Sequence, residues 1–116
     1  TIDFIAAGGR HLGGYIVPGI QMMLDALYGG TADVRVEGRP VFSQLAGGDT
    51  ITAVHNGCST MAIALIEKSL NQLEDIAGSA MVVLTGGDSE QLAKALGDQC
   101  LHVPDLVLVG LGIALP

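Results

Sequence analysis

Two short segments carry residue types that could contact a phosphate or a small polar substrate: Gly47-Gly48-Asp49-Thr50 and Gly86-Gly87-Asp88. Paired glycines let a ligand approach the backbone, and a helix that begins directly after them offers free N–H groups and positive potential. Each segment is also typical of an ordinary turn into a helix, in which Asp or Thr only caps the first turn. The rest of the chain must decide between these interpretations.

The histidines and cysteines do not show metal-binding spacing. His11, His55 and His102 lie far apart, and neither His-x-x-His nor Cys-x-x-Cys occurs. We expect His55 to be a surface residue of a helix and the other two histidines to be strand residues. Cys58 and Cys100 lie in apolar segments, which indicates reduced thiols in the core.

Composition favours a single modest domain with an aliphatic core. The chain has 116 residues, of which 49% are hydrophobic and only 3% aromatic. A net charge of −7 argues against a nucleic-acid-binding surface, which would be basic. No signal peptide is visible, and no apolar stretch reaches the length of a membrane span. Because the chain opens inside a strand-like segment without a Met, we expect it to be a piece of a longer protein.

The elements that would position the candidate residues alternate between strands and helices. Apolar periodicity and glycine or proline punctuation predict the order β-β-α-α-β-α-β-α, an α/β protein with a mixed sheet and flanking helices. The predicted segments are a hairpin over 1–17, helices over 20–28, 50–76, 89–96 and 105–115, and strands over 81–85 and 100–103. Residues 31–48 are the least regular part, with a possible short strand over 34–36.

The helix that follows Thr50 carries a wide apolar stripe, which could pack on a second copy of the chain or on a part of the protein that this chain lacks. The Met22-Met23 pair is predicted to lie in the core. The stripe consists of Val54, Cys58, Met61, Ala62, Leu65, Ile66, Leu70 and Leu73.

Four motifs, which follow one another along the chain in the order of the family, resemble those of type III pantothenate kinases. The segment 82–88 resembles the "LTGGD" turn of that family, and 13–19 is similar to its "GGxIxPG" segment. The segment 47–57 resembles "GxxTxxAxxxG", and 104–111 is similar to the closing "PDLVLxGL". Each motif alone is weak, but together they cover nearly the whole chain.

The resemblance implies an actin-like ATPase (ribonuclease H-like) fold built from two related halves, of which residues 1–116 would be the second. The "DxGNT" phosphate loop and the "GxDR" segment with the general-base Asp are absent, and only the tail Thr1-Ile2-Asp3 of "DLGTATTID" is present. The catalytic Asp and the Asp for the monovalent cation would therefore lie upstream of Thr1. We expect the isolated chain to be inactive as an enzyme.

The implied reaction transfers the γ-phosphoryl group of ATP to pantothenate, the first step of coenzyme A biosynthesis, with Mg²⁺ and K⁺ or NH₄⁺ as cofactors. Thr50 matches the position that contacts pantothenate, and Gly13, Gly14 and Ile16 would form the pocket wall. ATP would be contacted by Thr1, Asp3, Gly86, Gly87 and Asp88.

Structural roles remain open for the same residues: a helix cap for Thr50 and Asp88, a β-bulge for Gly13-Gly14 and a solvent-facing carboxylate for Asp3. The resemblance also implies a cytoplasmic homodimer whose pantothenate pocket lies near the subunit interface. Alternatives are a non-catalytic regulatory member of the Bvg accessory factor group, another small-molecule kinase of the actin-like fold, and a ligand-binding or structural α/β domain whose Gly-Gly turns are only turns.

Overall fold

A computed structural model describes residues 1–29 and 42–115, which form two compact units, Thr1–Ser79 and Ala80–Pro116. The first contains strands β1 (Ile2–Ile5) and β2 (His11–Tyr15) and helices α1 (Ile20–Gly29) and α2 (Thr50–Ala77). The second contains β3 (Val82–Leu84), α3 (Ser89–Leu96), a 3-10 turn (Gly97–Gln99), β4 (Cys100–His102) and α4 (Leu106–Ala114). The predicted α/β class is confirmed.

The strands form two small sheets rather than one mixed sheet within the described residues. β1 and β2 pair antiparallel, whereas β3 and β4 pair parallel. Each pair belongs to its own unit, so the predicted single mixed sheet is not formed by this part of the chain. The helix α3 connects β3 to β4, which is the crossover that a parallel pair requires.

The antiparallel hairpin is irregular where the sequence predicts a bulge. The register shifts between Phe4 and Ile5, and Gly13 has the positive φ of 129°. A Cβ at Gly14 would overlap the carbonyl oxygen of Ile2 on the paired strand. Gly14 is therefore required by the close approach of the two strands.

The core of the first unit lies where the hairpin and α1 pack on α2. Phe4, Leu24 and Ile63 are buried, and Phe4 contacts the ring of Tyr15 edge to face at 6.0 Å. The Tyr15 hydroxyl donates to Gln72 Oε1 at 2.9 Å and so connects β2 to the last third of α2. Met22 is 63% exposed, so its predicted core position is wrong.

The buried face of α2 differs from the predicted apolar stripe. Met61 is 64% exposed, whereas Ile63, outside the stripe, is fully buried. Cys58 is the one stripe residue that is buried, whereas most of the others are half-buried. Packing of the stripe on a second copy of the chain or on another part of the protein stays a prediction. Polar side chains can be buried when each finds a hydrogen-bond partner. The buried polar residues of α2 are His55, Asn56, Ser59 and Ser69.

The second unit has a small core and a wholly exposed last helix. Leu84 and Leu96 are its buried apolar residues, and Thr85 Oγ1 donates to the carbonyl of Pro104 at 3.1 Å. Every residue of α4 is exposed although nearly all are apolar, as with Ile113 at 82%. None of the helices in residues 1–29 and 42–115 is long and apolar enough to cross a membrane. The predicted strand over 34–36 lies outside the described residues.

Candidate functional site

The start of α2 is capped by an aspartate and not by the threonine that follows it. Asp49 has the extended backbone of an N-cap residue (φ −138°, ψ 167°). Its carboxylate accepts from the Thr52 backbone N–H at 2.9 Å and from the Thr52 hydroxyl at 2.7 Å. The bond from the Thr52 N–H, followed by that from its hydroxyl, lowers the pKa of Asp49 below its ordinary value.

This assignment leaves the Thr50 side chain without a capping role. Thr50 is the first helical residue and is exposed. Among the described residues no group hydrogen-bonds to its hydroxyl, which can both donate and accept. The structure therefore removes the competing helix-cap interpretation of Thr50 and leaves an available hydroxyl at a fixed helix start.

The segment before Asp49 lies against the first turns of α2. Asn56 Nδ2 donates to the Leu45 carbonyl at 2.7 Å, and the Thr60 hydroxyl donates to the Gln44 carbonyl at 3.4 Å. A Cβ at Gly47 would overlap the backbone nitrogen of Ala53. Side-chain donors and a close backbone contact thus fix the path of the chain into Thr50.

A buried hydroxyl–imidazole pair joins α1 to the same part of α2. The Tyr28 hydroxyl and His55 Nε2 are 2.6 Å apart, and the two rings are tilted by 45°. Burial raises the pKa of the Tyr28 phenol, and Cys58 adds to the effect. His55 is only 7% exposed, so the prediction of a surface histidine is wrong. The error arose because its partner, Tyr28, is distant in sequence and only the packing of α1 on α2 brings it close.

The hairpin residues predicted to line the pantothenate pocket are only partly accessible to a ligand. Gly13 has open space beside its Cα, whereas the space beside Gly14 is filled by β1. Ile16, just after β2, is 90% exposed. Gly13 and Ile16 are therefore the members of this group that could reach a ligand.

Thr50 and the hairpin residues do not meet within one chain. Tyr15, between Gly14 and Ile16, hydrogen-bonds to Gln72 of α2. Thr50 begins the same helix, 22 residues earlier (72 − 50). At 1.5 Å per residue this separation is roughly 33 Å along the helix axis. This end of the hairpin is therefore anchored far from Thr50 along α2.

The first strand carries a polar cluster that sequence reasoning only partly predicted. His11 Nε2 donates to Asp3 Oδ1 at 3.0 Å, and the Thr1 hydroxyl donates to Asp3 Oδ2 at 3.2 Å. The bond from His11 is the main reason that the pKa of Asp3 is lowered. Both side chains of the His11–Asp3 pair are more than half exposed. His11 was missed as a partner, although the hairpin register places it diagonally across from Asp3.

In the second unit the Gly86-Gly87-Asp88 turn is closed by the next residue, Ser89. Gly86 has φ +94°, and there is open space beside the Cα atoms of Gly86 and Gly87. Asp88 occupies the N-cap position, but its backbone is helical and its side chain makes no capping bond, so its predicted capping role is wrong. Ser89 Oγ instead donates to the Gly86 carbonyl at 2.6 Å.

Ser89 also connects this turn to β4. His102 Nε2 lies 2.8 Å from Ser89 Oγ. Since the Ser89 proton is donated to Gly86, His102 must donate through Nε2. Ser89 is 3% exposed, and the sequence signal that could have identified it is its position three residues after a glycine in a turn.

The described residues do not form a side-chain cluster for the metal ions that the family resemblance implies. Across residues 1–29 and 42–115, no three His, Cys, Asp or Glu side chains are grouped closely enough to bind a metal ion. Cys58 and Cys100 are unpaired thiols, as predicted, and burial raises the pKa of Cys58.

Comparison with known proteins identifies the family. A family model described as "Type III pantothenate kinase" matches residues 1–72. The chain belongs to the type III pantothenate kinase family. It is 42% identical over 113 residues to the type III pantothenate kinase of Alcanivorax borkumensis, an alignment that covers 96% of this chain and 45% of the relative.

Two further type III pantothenate kinases extend the match over both units. The protein of Pseudomonas putida (strain W619) is 40% identical, with 98% of this chain and 47% of the relative covered. The protein of Chromohalobacter salexigens is 34% identical, with 100% and 43% covered. The chain thus spans just under half the length of the curated relatives it matches.

Proposed function

We propose that this chain is the second, C-terminal half of an actin-like kinase that transfers the γ-phosphoryl group of ATP to pantothenate. The observation that carries the proposal is the Thr50 hydroxyl, which has no partner among the described residues and lies at a helix start whose cap is supplied by Asp49. Family membership supports the choice of substrate, since the relatives are named as pantothenate kinases. As in the sequence analysis, the catalytic Asp is expected upstream of Thr1.

Thr50 acts in this proposal as a substrate-binding residue. Its hydroxyl can donate to a carbonyl or carboxylate oxygen of pantothenate and accept from a hydroxyl or amide. Because Asp49 fixes the first turn, the hydroxyl needs little reordering when the substrate binds. Losing one such hydrogen bond removes binding energy without altering the phosphoryl-transfer chemistry.

The nucleotide is proposed to contact the Gly86-Gly87 turn. The open space beside both Cα atoms is what close approach of a nucleoside to the backbone requires. Asp88, half-buried and not used as a cap, is a candidate polar contact to ATP. Thr1 and Asp3 are proposed to contact ATP through the hairpin cluster. Mg²⁺ and K⁺ or NH₄⁺ would be bound by residues outside this chain.

The separation of roughly 33 Å between Thr50 and Gln72 supports a homodimer in which two protomers complete each pantothenate pocket. Thr50 of one protomer would then meet Gly13 and Ile16 of the other, with Gly14 keeping the strands together. The exposed Ile16 side chain is the surface such an arrangement would cover.

We also propose a cytoplasmic location, which agrees with two unpaired thiols.

The test of the substrate role is an ADP-release assay on the full-length protein that carries this sequence, with ATP, Mg²⁺, K⁺ and pantothenate. Thr50→Ala is expected to lower kcat/KM for pantothenate roughly 10- to 100-fold, the loss of one hydrogen bond to a polar or charged ligand. Thr50→Ser restores the hydroxyl and should recover most of the activity. Thr52→Ala is the matched control, because its hydroxyl is already used by Asp49.

A wild-type protein without pantothenate-dependent turnover would refute the proposed function. Turnover that survives Thr50→Ala would keep the kinase and refute the role of Thr50. The shared pocket has its own test: Thr50→Ala and Ile16→Asp proteins, each weak alone, should regain part of the activity when mixed and allowed to exchange subunits. No recovery in a confirmed mixed dimer would mean that the hairpin is not part of the pocket.

A further inference from the structure

We infer that Asn56 is a positioning residue for the pantothenate site: it fixes the segment 42–49 across the first turns of α2 and thereby sets the direction of the Thr50 hydroxyl. The inference rests on the proposed function, in that Thr50 must contact the substrate. Asn56 itself is 7% exposed and touches no ligand in this proposal.

The first argument is the range of the Asn56 contact. Its amide donates to the carbonyl of Leu45, a residue 11 positions earlier and before the helix begins. The bond is 2.7 Å long, and the amide is nearly fully buried. The amide is buried, and its partner is a backbone carbonyl that precedes the helix. Such a bond fixes the backbone more strongly than an exposed contact would.

The second argument is that the segment has three separate attachments to α2. Gln44 and Leu45 accept from Thr60 and Asn56, and Gly47 lies directly against the Ala53 backbone. Asp49 then caps the helix through Thr52. Thr50 follows this series immediately, so any shift of the segment is passed to the first turn on which its hydroxyl lies.

The other buried polar residues of α2 show that polarity alone is not the reason. Ser59 and Ser69 are equally buried, but their hydroxyls donate to the carbonyls of His55 and Leu65 within the helix. These bonds satisfy the side chain without restraining a second segment. Asn56, like His55 with Tyr28, has its partner outside the helix, but the Asn56 partner belongs to the segment that leads into Thr50. Ser69 therefore provides a matched control.

The experiment compares wild type, Asn56→Asp and Ser69→Ala in the full-length protein, with KM measured separately for pantothenate and ATP. Asn56→Asp keeps the shape but replaces the N–H donor by an oxygen that repels the Leu45 carbonyl. We expect the KM for pantothenate to rise about tenfold, as one lost positioning contact implies. The KM for ATP and kcat should change less than about threefold, the signature of lost ground-state binding.

A second measurement does not depend on turnover. Hydrogen exchange of the backbone amides of residues 43–53 should become faster in Asn56→Asp and remain at the wild-type rate in Ser69→Ala. If Asn56→Asp does not fold, Thr60→Val removes the weaker, longer bond to Gln44. It should raise the KM for pantothenate about twofold, with faster exchange confined to the same residues.

The outcomes separate this inference from the proposed function. An active wild type whose KM for pantothenate and exchange rates are unchanged by Asn56→Asp would overturn the positioning role alone. Equal losses in both KM values and kcat, matched by Ser69→Ala, would reduce Asn56 to a fold-stabilising residue. A wild type without pantothenate-dependent turnover would overturn both.

Discussion

The two glycine-rich helix starts of this protein have nearly the same sequence and different structures. Gly-Gly-Asp-Thr precedes α2, and Gly-Gly-Asp-Ser precedes α3. At the first, the Asp is extended and caps the helix, and the Thr hydroxyl has no partner in the described part of the chain. At the second, the Asp is helical and does not cap, and the Ser hydroxyl closes the turn. Nearly the same residues therefore take different roles at the two helix starts.

The glycines explain much of the difference between the two helix starts. Before α2, Gly47 is needed because the chain passes directly against the backbone of Ala53. Before α3, Gly86 is needed because its φ is +94°, a conformation that L-residues rarely adopt. A turn through positive φ brings the Gly86 carbonyl to Ser89, whereas the extended chain before α2 leaves the cap to Asp49.

The largest effect on stability is expected from Gly47, the first glycine of the pair before α2. Gly47→Ala should lower the free energy of unfolding by about 2 kcal/mol or more, because the added methyl group overlaps the Ala53 backbone and the segment must move. Gly48→Ala is the control, since its added methyl meets nothing within 4 Å. Urea-induced unfolding measures both. Equal midpoints for the two variants would show that the segment 42–49 is not packed against α2 as described.

Removal of the Ser89 hydroxyl should affect stability, whereas removal of the Thr50 hydroxyl should affect activity. Ser89→Ala leaves His102 Nε2 without its partner and removes the stronger of two bonds to the Gly86 carbonyl, which keeps only the Ser89 backbone N–H at 3.2 Å. The substitution should cost about 1–2 kcal/mol of unfolding free energy. Thr50→Ala should cost less than about 0.5 kcal/mol, because Thr50 is exposed and its hydroxyl has no partner within residues 1–29 and 42–115. It should nevertheless reduce turnover with pantothenate. The opposite pattern, a stable Ser89→Ala and an unstable Thr50→Ala, would contradict the structural role of the Ser89 hydroxyl and the substrate-binding role of the Thr50 hydroxyl.

The hydroxyl–imidazole pairs anchor the two helix starts to different neighbours, α1 in one case and β4 in the other. Tyr28→Phe removes the 2.6 Å contact with His55 and should cost about 1 kcal/mol near neutral pH. Burial raises the pKa of Tyr28, so the unfolded chain loses its phenolic proton first, and stability falls as pH rises above the ordinary value of 10.0. Tyr28→Phe should abolish that alkaline fall, and Tyr15→Phe, at an exposed contact to Gln72, should not.

The smallest effect concerns the aspartates. Because the pKa of Asp49 is lowered, its stabilising bonds are complete above the ordinary value of 3.8 and are lost as pH falls through its lower, folded-state value. Asp49→Asn should flatten this acid-side loss of stability, and Asp88→Asn should leave it unchanged, since Asp88 makes no capping bond. Unfolding midpoints between pH 2 and 5 would show the difference, and identical curves would contradict it.

Local sequence signals were sufficient for most of the elements. The glycine pairs, Asp49 and the apolar periodicity predict helices over 50–76 and 89–96, and the structure places them at Thr50–Ala77 and Ser89–Leu96. Family motifs were sufficient to identify the type III pantothenate kinase family. These features depend on neighbours within a few residues, where side-chain type largely determines backbone geometry.

The sequence by itself determined the α/β class and the family and indicated Thr50 as a candidate, because these follow from residue types in order. Only the tertiary structure decided which polar side chains of α2 are buried and that Thr50 and the hairpin lie at opposite ends of α2. Those outcomes depend on hydrogen bonds between residues distant in sequence, such as Asn56 with Leu45 and His55 with Tyr28. Periodicity measures only apolar character, so it cannot predict a buried face whose polar groups find distant partners.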